Sequence, residues 1–193
     1  MSAIASPEKD YDQFVSYFED RFPDTPFEDY KNGVYSIDKS AREQWEAMEE
    51  FPPYELNVDR GEELFNRPFK NGNTYGSCFE NDGIGIRQNY PYFDTEKNKV
   101  ITLEGALNDC RVKNGEKPLS YFKGKELAHV SAYMAYTSRG NKFDVQIPNT
   151  KEALDAYEDG KRLYFTKKGQ LNFSCADSVS YTHLTLPTST HGV

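Results

Sequence analysis

The sequence predicts an all-α protein. Three observations point there. Apolar residues recur at helical spacing in residues 8–22, where Tyr11, Phe14, Val15, Phe18 and Phe22 fall on one face with acids opposite. A second apolar stripe, Leu127, Val130 and Met134, runs through residues 123–138 with Tyr133 and Tyr136 beside it. A helix-and-cysteine pattern also occurs twice. Gly61-x-x-Leu64-Phe65 leads, 17 residues after its glycine, to Cys78, and Gly160-x-x-Leu163-Tyr164 leads, 15 residues after its glycine, to Cys175. Each cysteine follows a serine and lies beyond a Gly/Asn-containing loop.

The elements follow in order. Pro23 and Pro26 end the first helix, and Asn32-Gly33 marks a turn. Ser40, with Glu43 as its capping-box partner, is expected to start a second helix near 40–50. That helix carries Trp45, read as a core anchor, and Met48, and stops before Pro52-Pro53. A third helix, near 57–66, presents Gly61 on one face. A glycine there permits close approach of another helix, and the expected partner is 123–138, which Gly140 terminates. Residues 81–99, rich in Gly, Asn and Tyr, read as a structured loop. Gly83-Ile84-Gly85 within it lacks the third glycine of a dinucleotide fingerprint and follows no clear strand. Thr102 is expected to cap a helix over 103–113, and Pro148-Asn149-Thr150 marks a boundary before a last helix near 151–163.

Composition narrows the partners. The 193 residues carry a formal net charge of −8, with 15% aromatic residues and a mean hydropathy of −0.82, as suits a small aromatic core under a polar surface. Residues 1–63 hold 17 acidic and 6 basic side chains, a net of −11, and the remainder holds 14 and 17, a net of +3. That balance argues against nucleic acid, which needs a basic face. It permits docking to a basic protein, although a solvated acidic surface with no partner is by itself the better explanation. No apolar run approaches the ~20 residues of a membrane helix. Ala3-Ile4-Ala5 has the small-x-small form of a signal-peptide cleavage site, or is a chance match.

The last helix leads through Tyr164-Phe165 and Gln170-Leu171-Asn172-Phe173-Ser174 to Cys175-Ala176-Asp177. This reads as the approach to a covalent haem site, whose signature is Cys-x-x-Cys-His. Two thioethers and the adjacent histidine hold such a haem. Here Ser178 and Val179 stand where the second cysteine and the histidine belong. Residues 179–188, Val-Ser-Tyr-Thr-His-Leu-Thr-Leu-Pro-Thr, resemble a translated transposase adapter used in sequencing libraries. On that reading residues 179–193 are not native and codon 178 keeps one native base, compatible with an original cysteine. The alternative is an ordinary polar tail. His129 reads as a structural helix residue rather than a ligand, and His183 and His191 belong to the suspect tail.

Several longer strings, in order over residues 10–177, carry a family resemblance. They include Phe27-Glu28-Asp29-Tyr30, Arg42-Glu43-Gln44-Trp45-Glu46, Phe51-Pro52-Pro53-Tyr54, Gly85-Ile86-Arg87-Gln88-Asn89-Tyr90-Pro91-Tyr92-Phe93-Asp94, Ala132-Tyr133-Met134-Ala135-Tyr136-Thr137-Ser138-Arg139-Gly140 and Tyr157-Glu158-Asp159-Gly160-Lys161-Arg162. The sequence resembles the SoxA family, the larger cytochrome subunits of SoxAX complexes of sulfur oxidation. The resemblance implies two cytochrome c-like domains, the first haemless and the second cut off after its first helix and loop. The expected organisation is a helical extension over 6–56, a degenerate domain over 57–147, the start of a haem-binding domain over 148–178, and the adapter-like stretch 179–193.

The resemblance further implies an L-cysteine S-thiosulfotransferase subunit, with haem c in the intact protein, a SoxX-type small cytochrome and the SoxYZ carrier as partners, and a periplasmic location. It makes Cys175 the first haem-attachment cysteine and pairs Cys78 with Cys110 as a disulfide, two buried free thiols being the alternative. The catalytic residues, the haem histidine and the metal ligands are expected beyond Asp177, so the fragment itself is expected to be inactive. Its last helix is expected to lie loosely on the first domain, with Tyr157 and Tyr164 lacking a partner helix. Asn172-Phe173-Ser174 fits a glycosylation sequon, but a bacterial family makes that reading idle. A plain periplasmic electron-transfer cytochrome and a haemless partner-binding module are the competing functions.

Overall fold

The computed structural model describes residues 6–177. The expectations for Ala3-Ile4-Ala5, Ser178, Val179, His183, His191 and the stretch 179–193 lie outside the described residues. These residues form mainly helices, with short 3-10 turns and a single small hairpin. They divide into two compact units, one of residues 6–51 with 154–177 and the other of Pro52–Ala153.

In the first unit, α1 spans Pro7–Arg21. Proline at the first helical position costs no hydrogen bond, and Glu8 and Asp10 in the first turn suit the helix dipole. Of its apolar stripe only Phe18 is buried, whereas Tyr11 and Phe14 stay 60% and 46% exposed. Phe14 and Tyr17 instead pack edge-on against the Phe18 ring. A 3-10 segment, Phe27–Ser36, follows, broken at Gly33, which adopts φ 56°.

Helix α2 covers Lys39–Glu49, and its cap differs from the expected one. The Asp38 carboxylate accepts the Ala41 N–H at 2.9 Å, so Ser40 falls inside the first turn. Asp38 stands three residues before a free amide, the distance a cap needs, and takes the role two residues earlier than Ser40 would. Trp45 stacks on Tyr35, with ring centroids 5.5 Å apart. It remains only half-buried, a local clamp between α2 and the 3-10 segment rather than a core anchor.

The second unit is built around α3, Glu55–Asn66, and α5, Glu126–Thr137. They cross at Gly61, where an added Cβ would stand 2.1 Å from the His129 carbonyl oxygen and 2.8 Å from Tyr133 Cβ. The expected crossing is therefore present. Leu64 and Phe65 of α3 meet Leu127, Val130 and Met134 of α5 and Leu103, Leu107 and Cys110 of α4 (Leu103–Lys113) in one core with Phe69, Tyr75, Ile86, Tyr90 and Ile101. Thr102 caps α4 as expected, accepting the Gly105 N–H at 3.1 Å.

The loop expected over 81–99 contains a hairpin, a small departure from an all-α reading. Strand β1, Tyr92–Asp94, pairs antiparallel with β2, Lys99–Ile101. Asp94 turns the chain by accepting the Glu96 and Lys97 N–H groups at 3.0 and 2.9 Å, and Asn98 takes φ 55°. The hairpin delivers Ile101 to the core. Gly83, with φ 78°, lies against Phe65, where a Cβ would come within 2.8 Å of the ring. That close approach explains a glycine which no nucleotide motif required.

The last helix, α6, spans Lys151–Phe165. From Leu154 on it groups with α1, whereas it was expected to lie loosely on the first domain. A single carboxylate links the two helices. Asp10 of α1 accepts from the Tyr157 hydroxyl at 3.0 Å and from Lys161 Nζ at 2.7 Å. Among the described residues no helix is long and apolar enough to cross a membrane.

Candidate functional site: a haem-attachment segment and a disulfide

Cys175 sits where α6 hands over to a short loop and a new helical turn. Thr166 caps the end of α6 by donating its hydroxyl to Arg162 O at 2.5 Å. The chain then reverses through Gly169 (φ 73°) and Asn172 (φ 50°), and Lys168 bridges to Phe173. Ser174 opens the turn that holds Cys175. Its hydroxyl accepts the Asp177 N–H at 3.0 Å, and the Asp177 carboxylate accepts the Ser174 N–H at 3.0 Å and its hydroxyl at 2.9 Å. This reciprocal pairing is a capping box with aspartate in the acidic position. The Ser174 backbone N–H, and then its hydroxyl, hold the Asp177 carboxyl below the usual carboxylate range. The box leaves the Cys175 thiol exposed and free.

That geometry offers one sulfur to a vinyl group, but the residues present do not complete a covalent haem site. Ser178 and Val179 supply neither a second thioether nor an axial ligand. Among the described residues no group of three His, Cys, Asp or Glu side chains gathers to hold a metal. His129, the histidine of α5, is half-buried there and turns its backbone carbonyl to Gly61.

The first member of the repeat has a different chemistry. Cys78 and Cys110 are joined as a disulfide, with Cα atoms 5.8 Å apart, within the usual range for such bonds. Asn81 and Asp82 stand where a second cysteine and a histidine would follow Cys78, and both adopt left-handed backbone with φ 47° and 50°. Cys110 shares its core with Tyr75, Leu107 and Met134, which are 2%, 0% and 0% exposed.

Sequence reasoning missed Asn114. Its amide oxygen accepts from Asn71 Nδ2 at 2.7 Å and Asn73 Nδ2 at 2.9 Å. Its Nδ2 donates to Cys110 O at 2.9 Å and lies 3.3 Å from Cys78 Sγ and 3.7 Å from Cys110 Sγ. An asparagine ending a helix is an ordinary cap, and nothing in its sequence position signals a contact with sulfur. The role of Asp177 was also missed, although Ser174 and Asp177 have capping-box spacing.

Residues 60–143 match the family described as SoxA/TsdA, cytochrome c domain. The chain is 53% identical over 167 residues to the L-cysteine S-thiosulfotransferase subunit SoxA of Chlorobaculum tepidum, covering 86% of this chain and 57% of that protein. It is 50% identical over 173 residues to the subunit of the same name from Allochromatium vinosum, covering 89% of this chain and 61% of that one. The chain thus spans about three-fifths of the length of these relatives. Among solved structures it matches the crystal structure of SoxXA from P. pantotrophus, with TM-score 0.56 and 28% identity, over 65% of this chain and 48% of that chain. These matches assign the chain to the SoxA family.

Proposed function

We propose that residues 6–177 are the N-terminal part of a SoxA-type subunit. The whole protein would join thiosulfate oxidatively to a cysteine of a SoxYZ carrier, with electrons leaving through haem c and a SoxX-type cytochrome as its partner. The observation that carries this reading is Cys175. In a chain half identical to SoxA subunits, it follows a helix and loop that repeat the arrangement before Cys78 and stands exposed in a fixed turn. On this reading residues 57–147 are the degenerate cytochrome c-like domain, and residues 148–178 begin the haem domain.

No catalytic step falls to this chain's own residues. Its middle unit keeps a folded core without a cofactor, because packed aromatics and a disulfide fill the place of a prosthetic group. Its last helix and capping box hold Cys175 at a set position for attachment. The disulfide supports an oxidising compartment, the periplasm, since such bonds rarely persist in the cytosol.

The test is a chimera. Residues 6–177 are joined to the remaining part of the Allochromatium vinosum relative, produced in a host that matures c-type cytochromes, and mixed with SoxX and SoxYZ. The expected result is thiosulfate-dependent mass gain on the carrier cysteine. A haem-loaded chimera that exchanges electrons but never modifies the carrier would support a plain electron-transfer cytochrome instead.

A further inference from the structure

The two sulfurs of the Cys78–Cys110 bridge are not equivalent. Cys78 is half-buried, at the end of a 3-10 turn over Tyr75–Cys78, whereas Cys110 is 3% exposed inside α4. Of the two residues, Cys78 is the more open to a thiolate from solvent. The sulfur it would expel, Cys110, is surrounded by groups able to receive it. Asn114 Nδ2 sits between the two sulfurs, 3.3 Å from Cys78 Sγ and 3.7 Å from Cys110 Sγ, and the Tyr75 carbonyl oxygen lies 4.0 Å from Cys110 Sγ. The first is a donor for a thiolate, and the second is an acceptor for the thiol formed when a proton arrives from water.

The Asn114 donor is held by its own neighbours. Its oxygen is engaged by Asn71 and Asn73, which keeps Nδ2 turned toward the bridge. The donor has an opposing field to offset. Cys110 lies near the C-terminus of α4, where the helix dipole disfavours an anion.

We propose that this bridge is a thiol-exchange site of fixed polarity: an incoming thiolate bonds to Cys78, and Cys110 leaves as a thiolate received by Asn114. The S–S bond between Cys78 and Cys110 breaks, and a new S–S bond forms between the attacking sulfur and Cys78. The bonding electron pair stays on Cys110, which is reduced, while the attacking thiol is oxidised to the disulfide level. The co-reactant class is a small alkyl thiol, and a dithiol would carry the exchange on to a fully reduced pair. The proposal concerns this chain's own chemistry and does not depend on the thiosulfotransferase reading.

The test uses the full chain carrying Cys175→Ser, so that the exposed free thiol is absent, with glutathione as the probe. The mixed disulfide is trapped by acid and mapped by mass spectrometry. The expected result is glutathione on Cys78 with Cys110 as the free thiol, at a rate proportional to glutathione concentration. Asn114→Ala should slow the opening about three- to tenfold, the worth of one hydrogen bond, with the same adduct site. Glutathione on Cys110, or an opening rate independent of glutathione concentration, would overturn the proposal, because the bridge would then open only when the unit unfolds. Should Asn114→Ala fail to fold, the adduct position and concentration dependence in the Cys175→Ser chain still decide it. An Asn114→Ala variant that folds, melts like its parent and opens at the parent's rate would also count against it.

Discussion

A Cβ at Gly61 would fall 2.1 Å from the carbonyl oxygen of His129. Two helices whose residues are far apart in sequence therefore meet backbone to backbone, and one side chain type fits between them. Gly61→Ala should destabilise the middle unit. Overpacking costs about 1–3 kcal/mol, and alanine's helix propensity returns about 1 kcal/mol. The neighbour here is backbone and cannot swing aside, so the net loss should be about 2 kcal/mol, read from urea unfolding. Gly160, the equivalent residue of the second copy, meets nothing within 4 Å. Gly160→Ala should leave stability unchanged or raise it by up to about 1 kcal/mol.

The bridge between Cys78 and Cys110 spans 32 residues. On the chain-entropy model it stabilises the middle unit by roughly 3–4 kcal/mol. The double variant Cys78→Ser, Cys110→Ser should lower the urea midpoint accordingly. Oxidised material in which mass spectrometry finds both thiols free would contradict the structure.

Asp10 links α1 to α6, and this link should respond to acid. Its hydrogen bond from Lys161 is the largest influence and lowers its carboxyl from 3.8, against a smaller opposing effect of burial. A depressed carboxyl contributes stability that is present above the unfolded value and lost as pH falls through the folded one. Protection of α6 amides from hydrogen exchange should therefore hold at neutral pH and fall below about pH 3.8. Tyr157, pushed up to about 12 first by burial and then by its bond to Asp10, works at the other end. Its contribution is full below pH 10 and declines as pH rises toward 12. Asp10→Asn should flatten the acid response while leaving the middle unit's melting unchanged.

The helices were legible because their signals are local. The stripe over Leu127, Val130 and Met134 and the cap at Thr102 each lie within a few residues of what they specify. Gly61 was legible as a contact because a glycine on a helix face has few other uses. The hairpin of Tyr92–Asp94 with Lys99–Ile101 was missed, since three-residue strands carry too little alternation to read. Trp45 was assigned too much burial: an apolar residue on a helix predicts a face but not the layer that covers it. Asn114 escaped because its contact with the bridge depends on where residues 71 to 78 fold back, which no local pattern records.

We propose that Cys175 is a haem-attachment cysteine whose motif is incomplete in this chain. The most direct test is production of two chains in a host that matures c-type cytochromes, followed by haem staining and visible spectra. The chain as it stands should show no haem-stained band. Ser178→Cys with Val179→His, which completes Cys-x-x-Cys-His, should carry covalent haem mapped to Cys175 and position 178. A stained band with a low-spin spectrum from the unaltered chain would contradict the account, because Ser178 and Val179 would then belong to a working site with its iron ligand elsewhere.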